Sequence, residues 1–509
     1  MGAGAPTASD LETCAALEGI ELDDGEASEL LPVVAALVAA AGVVDEIEAP
    51  LPAPRHGPRD PGYRPSPDED PFNAFITNCR IEGTADGPLA GRSVGVKDNI
   101  SVAGVPTTNG SRLAAYTPSV DAVVVERILD AGGTITGKLN MDAFGAAGTG
   151  ETSAFGPARN PVDPAYSAGG SSGGSGAAVR AGAVDLALAV DQGGSGRIPA
   201  AFCGVVAAKG THGLVPSFGI TYIDHTIDSV TPIARTVRDA ALLLEVIAGP
   251  DPRDPQWVRG AVETAAYTEA ETAGVAGLSF AVVEESCDPE RCEPAVLEGL
   301  ERAAAALEAA GARVAWVSLP IWAKALAIFQ PYIACLISSM IRSDGAAYGH
   351  LGAVDPDAVE AFGRARREHS GDLPKQLKCW LIAERWLHER DANATYARLQ
   401  NLRLLVREHV SATLREHDVL LTPTLPMTAP RLPEGEASFA EISARTSAAL
   451  CFNTAPLNLT GHPAISVPSG ADAAGLPTAV QLISSHFQDA TGFRAAFELE
   501  RALGPFVPA

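Results

Sequence analysis

The chain has 509 residues, 46% of them apolar and 6% aromatic, which excludes a disordered protein and predicts a globular one with a sizeable core. Its 62 acidic against 37 basic side chains leave a formal charge of −25, the wrong sign for tracking phosphates, so nucleic acid and anionic membranes are excluded as general partners. Only six of the basic residues are lysines (Lys97, Lys138, Lys209, Lys324, Lys375 and Lys378), and lysine, unlike arginine, can lose its proton inside a protein.

The opening MGAGAPTASDLETC carries neither a basic region nor a long apolar run, and no later stretch approaches the roughly 18–20 apolar residues of a membrane span. The expectation is a soluble, cytoplasmic protein. Residues 10–48 read as two short acidic helices, the second from about Ala27 to Val44 with Leu30, Leu31, Val34, Leu37 and Val44 at helical spacing. Residues 49–71 hold eight prolines in 23 positions, the composition of an extended linker wrapping the main body. Residues 1–70 are therefore expected to be a small helical appendage, ahead of a main domain at 71–509.

From Asn73 onward, short apolar runs bounded by glycine alternate with helical patterns, as in RSVGVKDNI, SVDAVVVERILDAG and GTITGKLN. That rhythm predicts an α/β protein with helices on both faces of a sheet. It returns at LSFAVVEE (strand), PAVLEGLERAAAALEAAG (helix closed by Gly311) and ARVAWVSLP (strand). Residues 320–415 read as a helical excursion before the strand DVLLTPTLP. The eight cysteines lack paired CxxC spacing, which predicts reduced, mostly buried thiols and no metal site.

The richest stretch is SAGGSSGGSGAAVRAGAVDLALAVDQGGSGRIP, residues 167–199. Val184, Leu186, Leu188 and Val190 alternate as a buried strand ending at Asp191, and a glycine–serine cluster follows at its carboxyl end, the edge where open α/β sheets bind ligands. Gln192, Gly193, Gly194 and Ser195 would offer backbone N–H groups to a developing oxyanion, beside the Ser195 hydroxyl. Gly169–Gly173 matches the GxSxG elbow of α/β hydrolases, but Pro161 and Pro164 precede it where that elbow needs a strand. A serine nucleophile needs a base. His212, His225, His462 and His486 are candidates, with HTIDS at 225–229 the most suggestive, but Lys97 is the better one: alternation puts it on an apolar strand, where burial can lower its pKa by about 3 units. Asp98 must then point away from it.

These motifs are recognisable together. GVKDN around Lys97, GGSSGGS around Ser171 and DQGGSGRIPAA around Ser195 resemble the amidase signature family, and SAFGPARNP, TPIARTVRDAALLLEVIAGPDPRDP and NTAPLNLTGHPAISVP extend the likeness from about 73 to 500. The resemblance implies the family's α/β/α sandwich with a large mixed sheet. It also implies a triad of nucleophile Ser195, relay Ser171 after a cis peptide from Gly170, and neutral Lys97, without metal or cofactor. Gly170, Ser172, Asp191 and Arg197 would support it, and Phe144, Gly145, Ala146 and Thr149 align with a pocket-lining stretch. The implied activity is hydrolysis of carboxylic amides to acid and ammonia or amine, with anilides and carbamates (urethanes) as alternative substrates. A non-catalytic or amidotransferase-type subunit is the different-class alternative.

Gln192 and Ile198 depart from the DTGGSIRQPA typical of tRNA-linked subunits, and DQGGS with RIPAAFCGVV is similar to amidases that accompany nitrile hydratases, in which an N-terminal helical region helps build a homodimer. Gly196 replaces the family's usual isoleucine and Thr231 its usual glycine before Pro232. The first change is expected to enlarge the acyl pocket.

Overall fold

The computed structural model describes residues 5–44, 47, 51–113, 115–254, 265–346, 348, 352–433, 438–441 and 450–507. The chain divides into two compact units, Met1–Pro52 and Ala53–Ala509. In the first, Thr7 caps helix α1 (Ala8–Leu17) by a reciprocal box with Asp10. Helix α2 spans Asp24–Val44 with Pro32 inside it, and Val33, Leu37, Val43 and Val44 are exposed. The unit boundary lies at 52 rather than 70, because the proline-rich segment is bonded to the main body. Arg59 reaches Asp121 with two bonds of 2.9 and 2.6 Å, and Tyr63 exchanges backbone bonds with Asn78 at 2.9 and 2.8 Å.

The second unit is built on one eleven-stranded mixed sheet. Its strands are β1 (Phe75–Ile81), β2 (Ser93–Lys97), β3 (Thr134–Leu139), β4 (Leu186–Asp191), β5 (Val206–Lys209) and β6 (Ser229–Ala234), then β7 (Ser279–Val283), β8 (Arg313–Val317), β9 (Val419–Pro423), β10 (Ala464–Ala471) and β11 (Pro477–Ser484). They lie in the order β1-β3-β2-β4-β6-β5-β10-β11-β9-β7-β8. The pairs β3–β2–β4 and β9–β7–β8 are parallel, the rest antiparallel. The covering helices are α3 (Val123–Asp130), α4 (Gly173–Arg180), α5 (Arg197–Cys203), α6 (Val237–Ile247), α7 (Pro294–Ala309), α12 (Ala455–Thr460) and α13 (Asp489–Leu503), with α8 (Trp322–Arg342), α9 (Pro356–Glu368), α10 (Lys375–Asp391) and α11 (Ala394–Glu416) as the helical excursion.

The period of two along β4 sorts its side chains between two cores. Leu186, Leu188 and Val190 pack with Val94 and Val96 on one face, while Ala187 and Ala189 join Ala177, Ala178, Ala200 and Cys203 on the other. Those small residues let α4 and α5 approach the sheet closely. A Cβ on Gly174 would fall 2.2 Å from Ala74 O, and one on Gly176 2.7 Å from Pro199 O, so part of the first glycine cluster is packing rather than chemistry.

Contrary to the sequence reading, two helices among the described residues, Gly25–Val44 and Trp322–Arg342, are long and apolar enough to cross a membrane. The second is two-thirds buried within the body, as a core helix is (67%). None of the eight cysteines is in a disulfide, but only Cys203, Cys287 and Cys292 are buried, and Cys379 is exposed.

Candidate active site

Parallel pairing of β2 with β4, Val96 opposite Leu188, brings the strand ends Lys97 and Asp191 to the same edge of the sheet. Lys97, fully buried, donates from Nζ to Ser171 Oγ at 2.8 Å and to Val190 O at 3.0 Å. Burial pushes its pKa down to about 7, against the pull of Asp142, Asp228 and Asp191. Asp98 does point away: its carboxylate meets Lys138 Nζ at 3.1 Å and accepts from the N–H and hydroxyl of Thr108. Lys97 is not the only lysine inside. Lys138 and Lys209 are buried as completely, so scarcity alone did not single Lys97 out; its contact with a serine does.

Ser171 follows a cis peptide from Gly170. A Cβ on Gly170 would lie 2.0 Å from Asp142 Oδ2, so only glycine fits there. Asp142 N–H donates to Ser171 O at 3.0 Å, and its carboxylate accepts from Gly150 N, Thr152 N and Thr152 Oγ1 at 3.0, 3.0 and 2.7 Å. One buried acid thereby ties the 142–152 loop to Ser171. Ser172 N–H bonds Ser195 O at 3.2 Å, joining the two serine clusters.

Asp191 organises the loop after β4. It accepts from Gly194 N at 2.8 Å, Gly196 N at 3.1 Å and Arg197 N at 3.2 Å, and from the Arg197 guanidinium at 3.0 Å through both Nε and an Nη. Burial alone would raise its pKa, but Arg197 and Asn458 hold the carboxylate below the ordinary range. The fully buried Arg197 also donates to Gln481 Oε1, Thr454 O and Asn458 Oδ1 at 3.0, 3.1 and 2.7 Å, so the pair is paired and hydrogen-bonded throughout, as a buried ion pair must be.

This bonding corrects one expectation. Gly194 N–H is committed to Asp191, which leaves the N–H groups of Gln192, Gly193 and Ser195 as the donors without a partner among the described residues. Gly194 has φ +123°, and a Cβ there would fall 2.3 Å from Thr454 Oγ1, which in turn donates to Gly193 O at 2.6 Å. A Cβ on Gly193 would fall 2.6 Å from Phe329. Glycine is required at 194, a side chain at 193 would have to displace the Phe329 ring, and the turn is held from outside by Thr454.

A cleft of about 220 Å³ opens on Ser195, lined by Gly145, Ala146, Gln192, Phe329, Ile333 and Trp380 among others. Of the four expected pocket residues, Gly145 and Ala146 face it. Phe144 instead lines a different cavity, and Thr149 is fully buried with its carbonyl taken by Ser167 Oγ at 2.6 Å. The enlargement expected from Gly196 is absent. A Cβ there would sit 2.8 Å from Thr231 Cγ2 and 3.4 Å from Ala189 Cβ, and Ala189 and Thr231 are register partners on β4 and β6. The threonine fills the space the glycine leaves.

The histidine candidates are engaged elsewhere. His212 bonds His225 O at 2.8 Å, His462 meets Ser411 and Thr460 at 3.1 and 2.9 Å, and His486 meets Thr460 O at 3.0 Å. His225 packs on the Tyr222 ring. HTIDS nonetheless matters through Asp228, whose buried carboxyl is near enough to act on Lys97. Sequence reasoning missed Asp142, Asp228, Thr454, Asn458 and Gln481. Thr454 and Asn458 stand inside NTAPLNLTGHP, where a signal existed; Gln481, on an interior strand, gave none.

A family model described as Amidase matches residues 74–492. A glutamyl-tRNA(Gln) amidotransferase subunit from Halobacterium salinarum is 44% identical over 84% of this chain and 100% of its own length. An enantioselective amidase of Rhodococcus rhodochrous is 39% identical over 87% of this chain and 85% of its own length. The crystal structure of a bacterial aryl acylamidase of the amidase signature family superposes with a TM-score of 0.68 at 27% identity, covering 83% of this chain and 84% of that one. With its eleven-stranded mixed sheet and a buried lysine at the end of β2 bonded to Ser171, the chain belongs to the amidase signature family.

Proposed function

We propose that the chain hydrolyses carboxylic amides through an acyl-enzyme on Ser195. Ser195 Oγ attacks the carbonyl carbon while its proton passes to Ser171 Oγ, whose own proton goes to neutral Lys97. The N–H groups of Gln192, Gly193 and Ser195 receive the oxyanion as it forms, where fixed donors are worth most. The tetrahedral centre then collapses: the C–N bond breaks, the leaving nitrogen takes a proton from Ser171, and Lys97 replaces it. Water repeats the sequence on the ester, giving the acid and free Ser195. The observation that carries this reading is the 2.8 Å contact between Ser171 and a fully buried lysine whose pKa is about 7, since a base poised near the working pH is the efficient one.

The apolar lining of the cleft, Phe329, Ile333 and Trp380 facing Gly145 and Ala146, supports a bulky or aryl acyl group, with anilides and urethanes as further substrates of the same triad. Eight cysteines outside any disulfide fit the cytoplasm, and the exposed apolar residues of α2 support a homodimer with a second copy as their cover. A second reading, an amidotransferase component working with other subunits, is favoured by the 44% identity to the Halobacterium protein. The residues at 192 and 198 speak against it. Ammonia release by the purified chain alone from benzamide, acetamide and glutamine separates the two. Hydrolysis of benzamide without partners supports the amidase; activity only on glutamine, and only with added subunits, refutes it.

A further inference from the structure

A second cavity of about 60 Å³ is lined by Asn109, Phe144, Tyr222, Met340, Asp355 and Phe362 among others. Among the described residues it shares no lining residue with the cleft: Phe144 and Tyr222 face the cavity, whereas their chain neighbours Gly145 and Ile223 face the cleft. Neither Ser171 nor Ser195 borders it, so its ligand is not a substrate held at Ser195 and follows from its own lining. One enclosed water needs roughly 10–15 Å³ of such room, so the space takes about four water-sized groups.

That lining asks for a donor that carries positive charge. Asn109 is 3% exposed, and its side-chain oxygen has no hydrogen-bond partner among the described residues. Buried amide oxygens are nearly always satisfied, so this one is set for something that arrives with an N–H or O–H. Two carboxylates line the same space. Asp344 is spent on Arg366 and Arg367, at 2.6 and 3.4 Å. The half-buried Asp355 accepts from Asp357 N–H at 3.0 Å as it caps α9, and no cation among the described residues answers its charge.

The rest of the wall is aromatic and apolar. The rings of Phe144 and Phe362 lie 5.3 Å apart, and aromatic faces attract an ammonium group as well as methylenes. Phe144 has φ 56°, rare for a bulky residue, and its N–H bonds Asn109 O at 2.9 Å, so one backbone contact fixes ring and acceptor together. A hard metal ion would need six or more oxygens, which a wall holding Phe144, Met340 and Phe362 does not offer. A short primary ammonium ion matches all three features: charge, N–H donors and a few methylenes. We propose that this cavity is a binding site for a small alkylammonium cation, separate from the catalytic cleft, with the ammonium group toward Asn109 and Asp355 and the methylenes against Phe144, Met340 and Phe362.

The test measures binding and not turnover, so its outcome is independent of the amidase reading. Propylammonium chloride is titrated calorimetrically into the full chain at constant ionic strength, beside propan-1-ol, a neutral donor of the same length. We expect one saturable site for propylammonium, with propan-1-ol at least tenfold weaker. Ala358→Phe, which fills the cavity from α9, and Asn109→Leu should each weaken propylammonium at least tenfold, while Trp380→Ala in the cleft leaves its binding unchanged. No saturable binding, equal binding of the alcohol, binding that survives in folded Ala358→Phe and Asn109→Leu proteins, or binding lost in Trp380→Ala would each overturn the inference. Should neither cavity variant fold, the alcohol comparison and Trp380→Ala still decide it.

Discussion

The pairing of Gly196 with Thr231 yields a prediction whose size follows from the structure. Gly196 has an ordinary helical conformation, φ −98° and ψ −42°, so a side chain there is opposed by space and not by backbone. A Cβ would meet Thr231 Cγ2 at 2.8 Å and Thr231 Cβ at 3.0 Å, and a β-branched threonine inside a sheet has no spare rotamer to yield. Gly196→Ala should therefore cost the overpacking penalty of roughly 1–3 kcal/mol. With an unfolding entropy of about 2.1 cal/mol/K per residue, a chain this long loses about 1 °C of thermal midpoint per kcal/mol, so the expected shift is about 1–3 °C. Thr231→Gly alone also destabilises, because it leaves a void and loosens a strand. In the double variant the alanine occupies the vacated space, and most of the Gly196→Ala loss is recovered. Thermal unfolding of the four proteins at one scan rate measures the coupling. If the two single losses simply add, to within roughly 0.5 kcal/mol, the two positions are independent and the reasoning fails. Gly196→Ile with Thr231→Gly, the family's usual combination, should likewise fold better than Gly196→Ile alone.

Further predictions concern charge and the proton path. Because Lys97 works in its neutral form and its pKa is about 7, kcat/KM should rise as pH passes through about 7 and level off above; a profile that falls across that interval contradicts the role. The unfolded chain holds this proton up to about pH 10.4 while the folded chain releases it near 7, so the stability linked to Lys97 increases with pH between those values. Lys97→Met should consequently be inactive yet gain most in thermal midpoint below about pH 7, with the gain shrinking toward pH 10; a gain that grows with pH reverses the sign and refutes the assignment. Lys138→Met leaves the buried Asp98 without its 3.1 Å partner and should cost roughly 3–5 kcal/mol, much of it recovered by adding Asp98→Asn, as denaturation of the pair would record. Among acyl groups, benzamide should be preferred to acetamide; the opposite order would mean that the cleft's aromatic lining does not hold the substrate.

What the sequence disclosed depended on whether a physical constraint was local. The strand DLALAVD was legible because its alternation separates two cores, leucine and valine on one side and alanine on the other, and Lys97 stood out because a cation interrupts an equally apolar strand. The glycine loop after Asp191 was legible as an amide-lined turn, but not which amide is spent: Gly194 bonds Asp191 three residues earlier, a choice of backbone geometry and not of composition. Long-range partners left no pattern. Asp142 reaches Ser171, Arg197 reaches Gln481, and Thr231 fills the space beside Gly196 only because the sheet order β4-β6-β5-β10-β11 places distant segments side by side. Phe144 was misplaced for a related reason, since its positive φ turns the ring away from the cleft that its neighbour Gly145 lines. Composition marked the proline-rich segment as a linker over the main body, but not that Arg59 would anchor it to Asp121.

The central claim is that Lys97, acting through Ser171, is the base that activates Ser195. The most direct measurement is steady-state hydrolysis of benzamide by Lys97→Ala, taken beside its thermal midpoint and beside substitutions of His212, His225, His462 and His486. The account predicts a folded Lys97→Ala protein with kcat reduced by roughly 10²–10⁴ or more, and histidine variants that keep their activity as long as they fold. A folded Lys97→Ala protein with wild-type turnover, or a histidine variant that is folded and inactive, would contradict it.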